Sequence, residues 1–479
     1  MDIFFLLKLV TIGVGFYMAW TIGANDVSNA IGTSVGTKAL PLKKAVILAA
    51  LLEFAGAFFL GSHVSETIQE GIVNPYVFSA TPMIYVLGMV AALLATGIWL
   101  HLASYLGLPV STTHAIVGSV LGFGALIGGI HAVYWDKILS IAASWVLSPV
   151  MSGFLAYFLF SLLQKRIFFS IHPLKAAKRL IPILVFISIF TFSLTLIYQG
   201  LAVLNFHPNI YESVALSIIT GLIGFFIGKI IVSRLPKDQC IPGTSPHPME
   251  SVHLEKAAKH LLRLKLSAKG ETRKKASSLL KETAMLKKEV QKKSHVSKES
   301  SIYNKIENQF KYLQMISACM IAFAHGANDV SNAIGPVAAV FDVLNSKVIN
   351  TSSNIPTWIL LLGGSGIVIG LATWGWRVIE TIGKKITTLT PTRGFSAELG
   401  ASLTILVSSK LGLPISTTHA LVGAVLGVGI AKGISAINLR VLRDIVMSWL
   451  ITIPVCALLN IVVFYILKFI LSRFTGFSI

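Results

Sequence analysis

Apolar runs of about twenty residues, long enough to cross a bilayer as helices, recur along most of the chain. They fall at 3–22, 43–62, 83–104, 112–130, 138–164, 179–198 and 211–233. A long polar stretch follows, and then 312–340, 357–376, 395–410, 412–431 and 444–467. This pattern predicts an all-α polytopic membrane protein with about twelve membrane-spanning segments. It divides into a first transmembrane repeat (1–164), two additional helices (165–233), a basic linker (234–311) and a second repeat (312–479). The first run carries Asp2 where a signal peptide would carry positive charge, which predicts an uncleaved first helix.

The division into repeats rests on self-comparison. GANDVSNAIG at 23–32 returns unchanged at 326–335. LGLPVSTTHAIVGSVLGFG at 106–124 returns as LGLPISTTHALVGAVLGVG at 411–429. A weaker echo sets Gly56, Gly61 and Glu66-Thr67-Ile68 against Gly370, Gly375 and Glu380-Thr381-Ile382. Seven predicted segments precede the second copy, and an odd number inverts it. Inverted repeats with broken helices are the pattern of secondary transporters, whose sites lie near the midplane between the repeats. Both motifs are rich in residues that break apolar helices, so each predicts an interruption. The short 395–410 segment and the GLP turns favour re-entrant hairpins at 83–130 and 395–431.

Charge orients the chain. With both termini outside, Lys38, Lys43 and Lys44, the cluster from Lys165 to Arg179, Arg377, Lys384, Lys385 and Arg393 all fall inside, as positive charge in short loops prefers. The net charge of +20 would point a soluble protein toward nucleic acid. Here 18 of the 40 basic residues lie in 234–311, a linker placed in the cytoplasm, so no nucleic-acid partner is expected. Only 13% of residues are charged and 54% are hydrophobic, which excludes a disordered protein and an ordinary soluble enzyme. Cys240, Cys319 and Cys456 have no metal-ligand or disulfide spacing. The linker's lysine-rich helical stretches predict either a solvated linker or a surface for anionic lipid.

The first motif ends one helix at Pro109 or Pro414 and opens the next with Ser111, Thr112 and Thr113, or with Ser416, Thr417 and Thr418. A helix N-terminus offers free N–H groups and about half a positive charge. Two such ends facing each other make a cradle for a tetrahedral oxyanion. Neither contains Lys or Arg, which suits a carrier that must release its anion. A single Ser-Thr copy would read as a helix cap; two inverted copies read as a site. His114 and His419, next in line, read as hydrogen-bonding groups that hold the hairpins.

The second motif sets Asn25, Asp26 and Asn29 against Asn328, Asp329 and Asn332. An intramembrane acid is costly unless paired. No Arg or Lys lies nearby in sequence, so a bound Na⁺ or proton is the expected partner. Glu53 and Glu398 are further acids within spans. Their repeat counterparts are Ile367 and Leu93, so each half has one acid of its own. Glu398 lies nearer a segment end, where an acid can snorkel. His325 replaces Ile22 just before the motif, as a titrating or a structural histidine. Moving one charge against 100 mV costs about 2.3 kcal/mol, so a dianion entering an inside-negative cell pays about 4.6 kcal/mol. Uptake therefore needs a coupled cation.

Together GANDVSNAIGTSVGTKAL, AHGANDVSNAIGP and LGLPVSTTHAIVG resemble the inorganic phosphate transporter (PiT) family across about 400 residues. The resemblance implies a symporter importing inorganic phosphate, twelve spans with hairpins, a homodimer, and a cell-surface or inner membrane location. It implies phosphate contacts from Ser111–Thr113 and Ser416–Thr418, with Asp26 and Asp329 beside them. It implies sodium coordination by Asn25, Asn328 and Glu398 together with the aspartates, and transport-sensitive Glu53 and His325. The motif form is more similar to the sodium-coupled branch than to the proton-coupled one. Sodium enters as a co-transported ion, and no resident cofactor is implied. Three rivals remain at this point: a sulfate-type oxyanion carrier, an anion channel and a membrane-embedded hydrolase. Against the hydrolase, every candidate group is duplicated, whereas a catalytic triad needs one asymmetric set.

Overall fold

The computed structural model describes residues 3–108, 110–204, 206–233, 235, 248–294, 298–349, 355–375, 389–433 and 439–475. Pro109, Cys240, Arg377, Lys384, Lys385 and the echo at Glu380-Thr381-Ile382 lie outside them. Every apolar run becomes helix. In order these are α1 (Ile3–Gly36), α2 (Leu42–Leu60), α3 (Ser62–Glu70), α4 (Pro82–Tyr105), α5 (Thr112–Ile127), α6 (Trp135–Leu163), α7 (Pro173–Gln199) and α8 (Ile210–Ser233). There follow α9 (Pro248–Ser267), α10 (Gly270–Ser294), α11 (Lys298–Asp329), α12 (Ser331–Ser346), α13 (Thr357–Trp374), α14 (Pro391–Lys410), α15 (Thr417–Lys432) and α16 (Leu439–Thr475). Among the described residues there is no strand, only an isolated bridge between Val73 and Val133. Prolines open α4, α7 and α14, where a missing N–H costs nothing.

Seven described helices are long and apolar enough to cross a membrane, and an eighth span is formed if the bent pair α2–α3 counts as one. The chain is thus a multi-pass membrane protein. The helices α5 and α15 are shorter apolar ones. Each joins its predecessor, α4 or α14, through the LGLP turn, giving two helical hairpins. The turn reverses the chain at Gly107 and Gly412, whose φ values of 67° and 66° are left-handed and favour glycine. The basic linker forms the α9–α10 pair, which packs on itself.

The predicted interruption at the Asn-Asp motif is not found in the first copy. α1 runs unbroken through it. Its polar side chains bond within the helix instead, with Asn29 Nδ2 donating to Asp26 Oδ1 at 3.2 Å. The second copy is divided at Val330, which keeps right-handed helical angles. The polar residues are tolerated because other buried polar side chains meet them, so the ladder need not open.

The halves are interlocked rather than side by side. α1 packs along α13 and α11 along α2, so each motif helix lies against the other half's second helix. Glycines permit the approach. A Cβ at Gly23 would strike the Ile367 carbonyl, and one at Gly326 the Glu53 carbonyl. The exchange recurs outside this centre, where α5 packs on α16 and α15 on α6. Two flanks result: α4, α5 and α16 on one side, and α14, α15 and α6 on the other. α7 and α8 pair together, and α7 lies against α11.

Candidate functional site

The N-terminal ends of α5 and α15 meet at the centre, against the motif segments of α1 and α11–α12. Thr113 Oγ1 donates to the Ile415 carbonyl at 2.9 Å, joining tip to tip. Asn29 Nδ2 donates to Thr418 Oγ1 at 2.8 Å, and Asn332 Nδ2 lies 3.3 Å from both Thr112 Oγ1 and Thr113 Oγ1. Thr417 Oγ1 donates to Asp329 Oδ2 at 2.7 Å. Each Asn-Asp motif thus reaches the Ser-Thr-Thr tip of the other half. All of these residues are buried, none more than 2% exposed.

Ser111 and Ser416 are helix caps. Their hydroxyls accept from the backbone N–H groups of His114 and His419, each at 3.2 Å. Capping and anion contact are compatible, because the cap takes the third N–H of the helix. The N–H groups of Thr112, Thr113, Thr417 and Thr418 precede the first intrahelical donor. Two such ends together supply about one positive charge without a cationic side chain.

The aspartates have one basic neighbour, a histidine. His325 stands between three acids, 3.1 Å from Asp329, 3.2 Å from Glu53 and 3.9 Å from Asp26. It comes from α11 one turn before Asp329, and Glu53 reaches it because α2 packs along α11. Sequence reading named Glu53 and His325 separately and missed the pair, since 272 positions separate them and only the exchange of helices joins them. One imidazolium cannot balance three buried carboxylates. Asp26, His325 and Asp329 also place one ligand atom each within 4.8 Å of one another, a spacing that suits a metal ion.

Acceptor oxygens remain over. Asn25 Oδ1, Asp26 Oδ2, Asn29 Oδ1 and Asn332 Oδ1 are buried with no hydrogen-bond partner. Unmatched buried oxygens are costly, and a hard monovalent cation would satisfy them. Asn25 is oriented by donating to Ser104 Oγ and the Leu108 carbonyl at 3.1 and 3.2 Å. Asn328 is its counterpart: its amide contacts Ser409 Oγ at 3.1 Å, and oriented to suit its neighbours it also donates to the Ile415 carbonyl and Asp329 Oδ1.

Glu398 is apart from this cluster, and it does not snorkel. It is fully buried. Its Oε1 accepts from Thr33 Oγ1 at 2.5 Å, Ser34 Oγ at 2.6 Å and Gln314 Nε2 at 3.1 Å, and its Oε2 from Ser317 Oγ at 2.6 Å. Gln314 is held in turn by Thr37 Oγ1 at 2.7 Å. The four donors come from α1 and α11, the two motif helices. None of the four is marked by the repeat, because their counterparts are Thr11, Val14, Pro336 and Val337.

Comparison with known proteins agrees with this geometry. The profile of the phosphate transporter family matches residues 22–460. A Chlamydia trachomatis (serovar D) chain, provisionally named a phosphate permease, is 44% identical over 470 residues, covering 97% of this chain and 98% of that one. Inorganic phosphate transporter 2-1, chloroplastic, of Arabidopsis thaliana is 41% identical over 469 residues, covering 98% of this chain and 73% of that protein. A solved structure described as the sodium-dependent phosphate transporter superposes with a TM-score of 0.78 at 36% identity, covering 97% of this chain and all of that one.

Proposed function

The chain belongs to the phosphate transporter family, and from that premise we propose that it is a sodium-coupled symporter of inorganic phosphate working by alternating access. The observation that carries the reading is the meeting of two Ser-Thr-Thr helix ends, free of Lys and Arg, over a buried cluster with excess carboxylate. Phosphate lies between the helix ends and takes the N–H groups of Thr112, Thr113, Thr417 and Thr418 and the hydroxyls of Thr112 and Thr418, which accept from Asn332 and Asn29 and keep their own protons free. Asp26 and Asp329 flank it and would repel a bare anion, so the anion binds only with cations. Sodium is held by Asp26 and Asp329 with the amide oxygens of Asn25, Asn29, Asn328 and Asn332. Glu398 and its hydroxyl set form a second cation position at the α1–α11 contact. Sodium is favoured over the proton by the number of unmatched amide oxygens, which cannot take a proton at neutral pH. Twelve spans in two inverted repeats, with the α4–α5 and α14–α15 hairpins entering from opposite sides, place the site at mid-membrane. Both termini lie outside and the α9–α10 linker lies in the cytoplasm.

The test is radioactive phosphate uptake into proteoliposomes under an imposed Na⁺ gradient or a pH gradient of equal driving force. Accumulation only with Na⁺ supports symport, and accumulation only with the pH gradient transfers coupling to the proton. If neither drives phosphate, the substrate reading fails. Asp26→Asn and Asp329→Asn should each cut Na⁺-driven uptake by about a hundredfold, since hydrogen bonds to charged groups contribute about 1.5–3 kcal/mol each and coupling is lost as well. Wild-type rates in either variant would remove the aspartates from the cation site.

A further inference from the structure

His114 and His419 are repeated and buried, have no part in the proposed binding, and lie where the tips of the two flanks meet. Among the described residues, no helix of the α4–α5–α16 flank packs extensively along a helix of the α14–α15–α6 flank. What joins them is a set of contacts at the hairpin tips. The imidazoles of His114 and His419 lie 4.5 Å apart, centroid to centroid, nearly perpendicular. Trp145 of α6 lies on His114 at 3.9 Å, and Trp449 of α16 stacks on His419 at 3.5 Å. Trp145 and Trp449 hold similar places in the two repeats, four and five residues before Pro149 and Pro454. Trp145, which crosses to His114, is also bonded twice to the tip of its own flank. Its Nε1 donates to the Pro414 carbonyl at 3.2 Å, and its own carbonyl accepts from His419 Nδ1 at 3.2 Å.

That last bond orients the ring. A carbonyl only accepts, so His419 Nδ1 carries a proton, and Nε2 is buried without a hydrogen-bond partner. Both rings are at most 5% exposed. The rings that face them are aromatic, so the two imidazoles pack edge to face within an aromatic cluster. Each histidine directly follows the threonines of its tip.

We propose that His114 and His419, clamped by Trp145 and Trp449, are positioning residues that form an aromatic clasp between the two flanks, holding both helix ends on one anion and parting when the carrier opens. This rests on the proposed phosphate site. It adds that the flanks move as separate bodies with the clasp as their contact.

The test is a His114→Cys/His419→Cys chain in a background where Cys240, Cys319 and Cys456 are replaced, reconstituted in proteoliposomes. A disulfide should form under mild oxidant, counted by loss of two titratable thiols. Oxidised protein should still bind radioactive phosphate within about threefold of the reduced affinity, while uptake falls more than about tenfold and returns with dithiothreitol. Uptake at the reduced rate with the disulfide intact would overturn the proposal, because the tips would then travel as one body. Failure of the thiols to join even through a short, reducible bifunctional thiol reagent, which spans the reach that cysteine lacks beside histidine, would overturn the juxtaposition itself. A second variant guards against misfolding. His419→Phe keeps the ring but loses the Trp145 bond, and should raise the KM for phosphate several-fold more than it lowers the maximal rate. His419→Ala should be worse on both, and equal effects of Phe and Ala would also overturn the clasp. If the unmutated chain takes up no phosphate under any gradient, the transport reading has failed, while the thiol count still reports whether the tips touch.

Discussion

The two halves carry nearly the same motifs in very different company. At the tips they match: Ser111 and Ser416 cap identically, and Asn25 and Asn328 take corresponding partners in Ser104 and Ser409. One step away they part. Around the second motif, His325 meets Glu53 at 3.2 Å. The corresponding pair around the first motif is Ile22 and Ile367, both fully buried and apolar. Glu398 binds Thr33, Ser34, Gln314 and Ser317. Its counterpart Leu93 is buried, and the matching positions are Pro336, Val337, Thr11 and Val14, of which Thr11 bonds back to its own helix at Leu7. What is duplicated faces the centre, where a tetrahedral anion can be shared by two equivalent helix ends. What is single lies on one side only, and it is there that the unshared charge collects. On the proposed function, shared binding and one-sided coupling would be separable in the residues.

The strongest way to break this comparison is to make the surroundings of the second motif copy those of the first. His325→Ile alone leaves Glu53 buried with no cationic partner, and Glu53→Ile alone strands His325. Removing one partner of a buried pair costs about 3–5 kcal/mol. Each single variant should therefore lose most of its thermal stability in detergent. The double variant rebuilds the Ile22–Ile367 contact, and apolar replacement of a whole buried pair is often neutral. It should return to within about 1 kcal/mol of the parent while uptake stays absent. Recovery of uptake in the double variant would mean that the asymmetric pair does not couple, and the separation of binding from coupling would fall.

How far the sequence carried this comparison depends on the distance between partners. The spans were legible because an apolar run long enough to cross has few other uses, and the repeat because ten identical residues leave no room for chance. The continuity of α1 was not legible. Gly, Asn, Asp and Ser read as breakers, but the small residues admit a neighbouring helix and Asn29 bonds Asp26 without leaving helical geometry. The His325–Glu53 contact was hidden because it depends on α2 crossing to the other half's motif helix, a choice that local pattern does not encode. Glu398 was legible as a candidate cation ligand, but its setting was not. Its position near a segment end left snorkelling open, and its donors are scattered over two helices with nothing periodic about them.

A smaller effect sharpens the second asymmetry. Glu398→Gln keeps the shape of the carboxylate and most of its hydrogen bonds but removes the charge. It should leave the protein folded and raise the Na⁺ concentration needed for half-maximal uptake by about tenfold, a loss of about 1.4 kcal/mol. Glu398→Leu, which copies Leu93, leaves two or more buried donors unmatched at about 1–3 kcal/mol each, and should lose stability as well. Unchanged sodium dependence in the glutamine variant would make Glu398 a structural acid, leaving the central cluster alone to couple.

The smallest effects test the symmetric part. Ser111→Ala and Ser416→Ala each remove one cap, a change that costs about 1 kcal/mol. Because the caps are geometrically equivalent and sit on opposite flanks, the two losses should be equal and should add in the double variant, read as a shift in thermal unfolding. The phosphate KM should rise by a similar factor in each, since a loosened first turn blurs the same set of N–H groups on either side of the anion. An unequal rise would show that the two tips do not share the anion evenly.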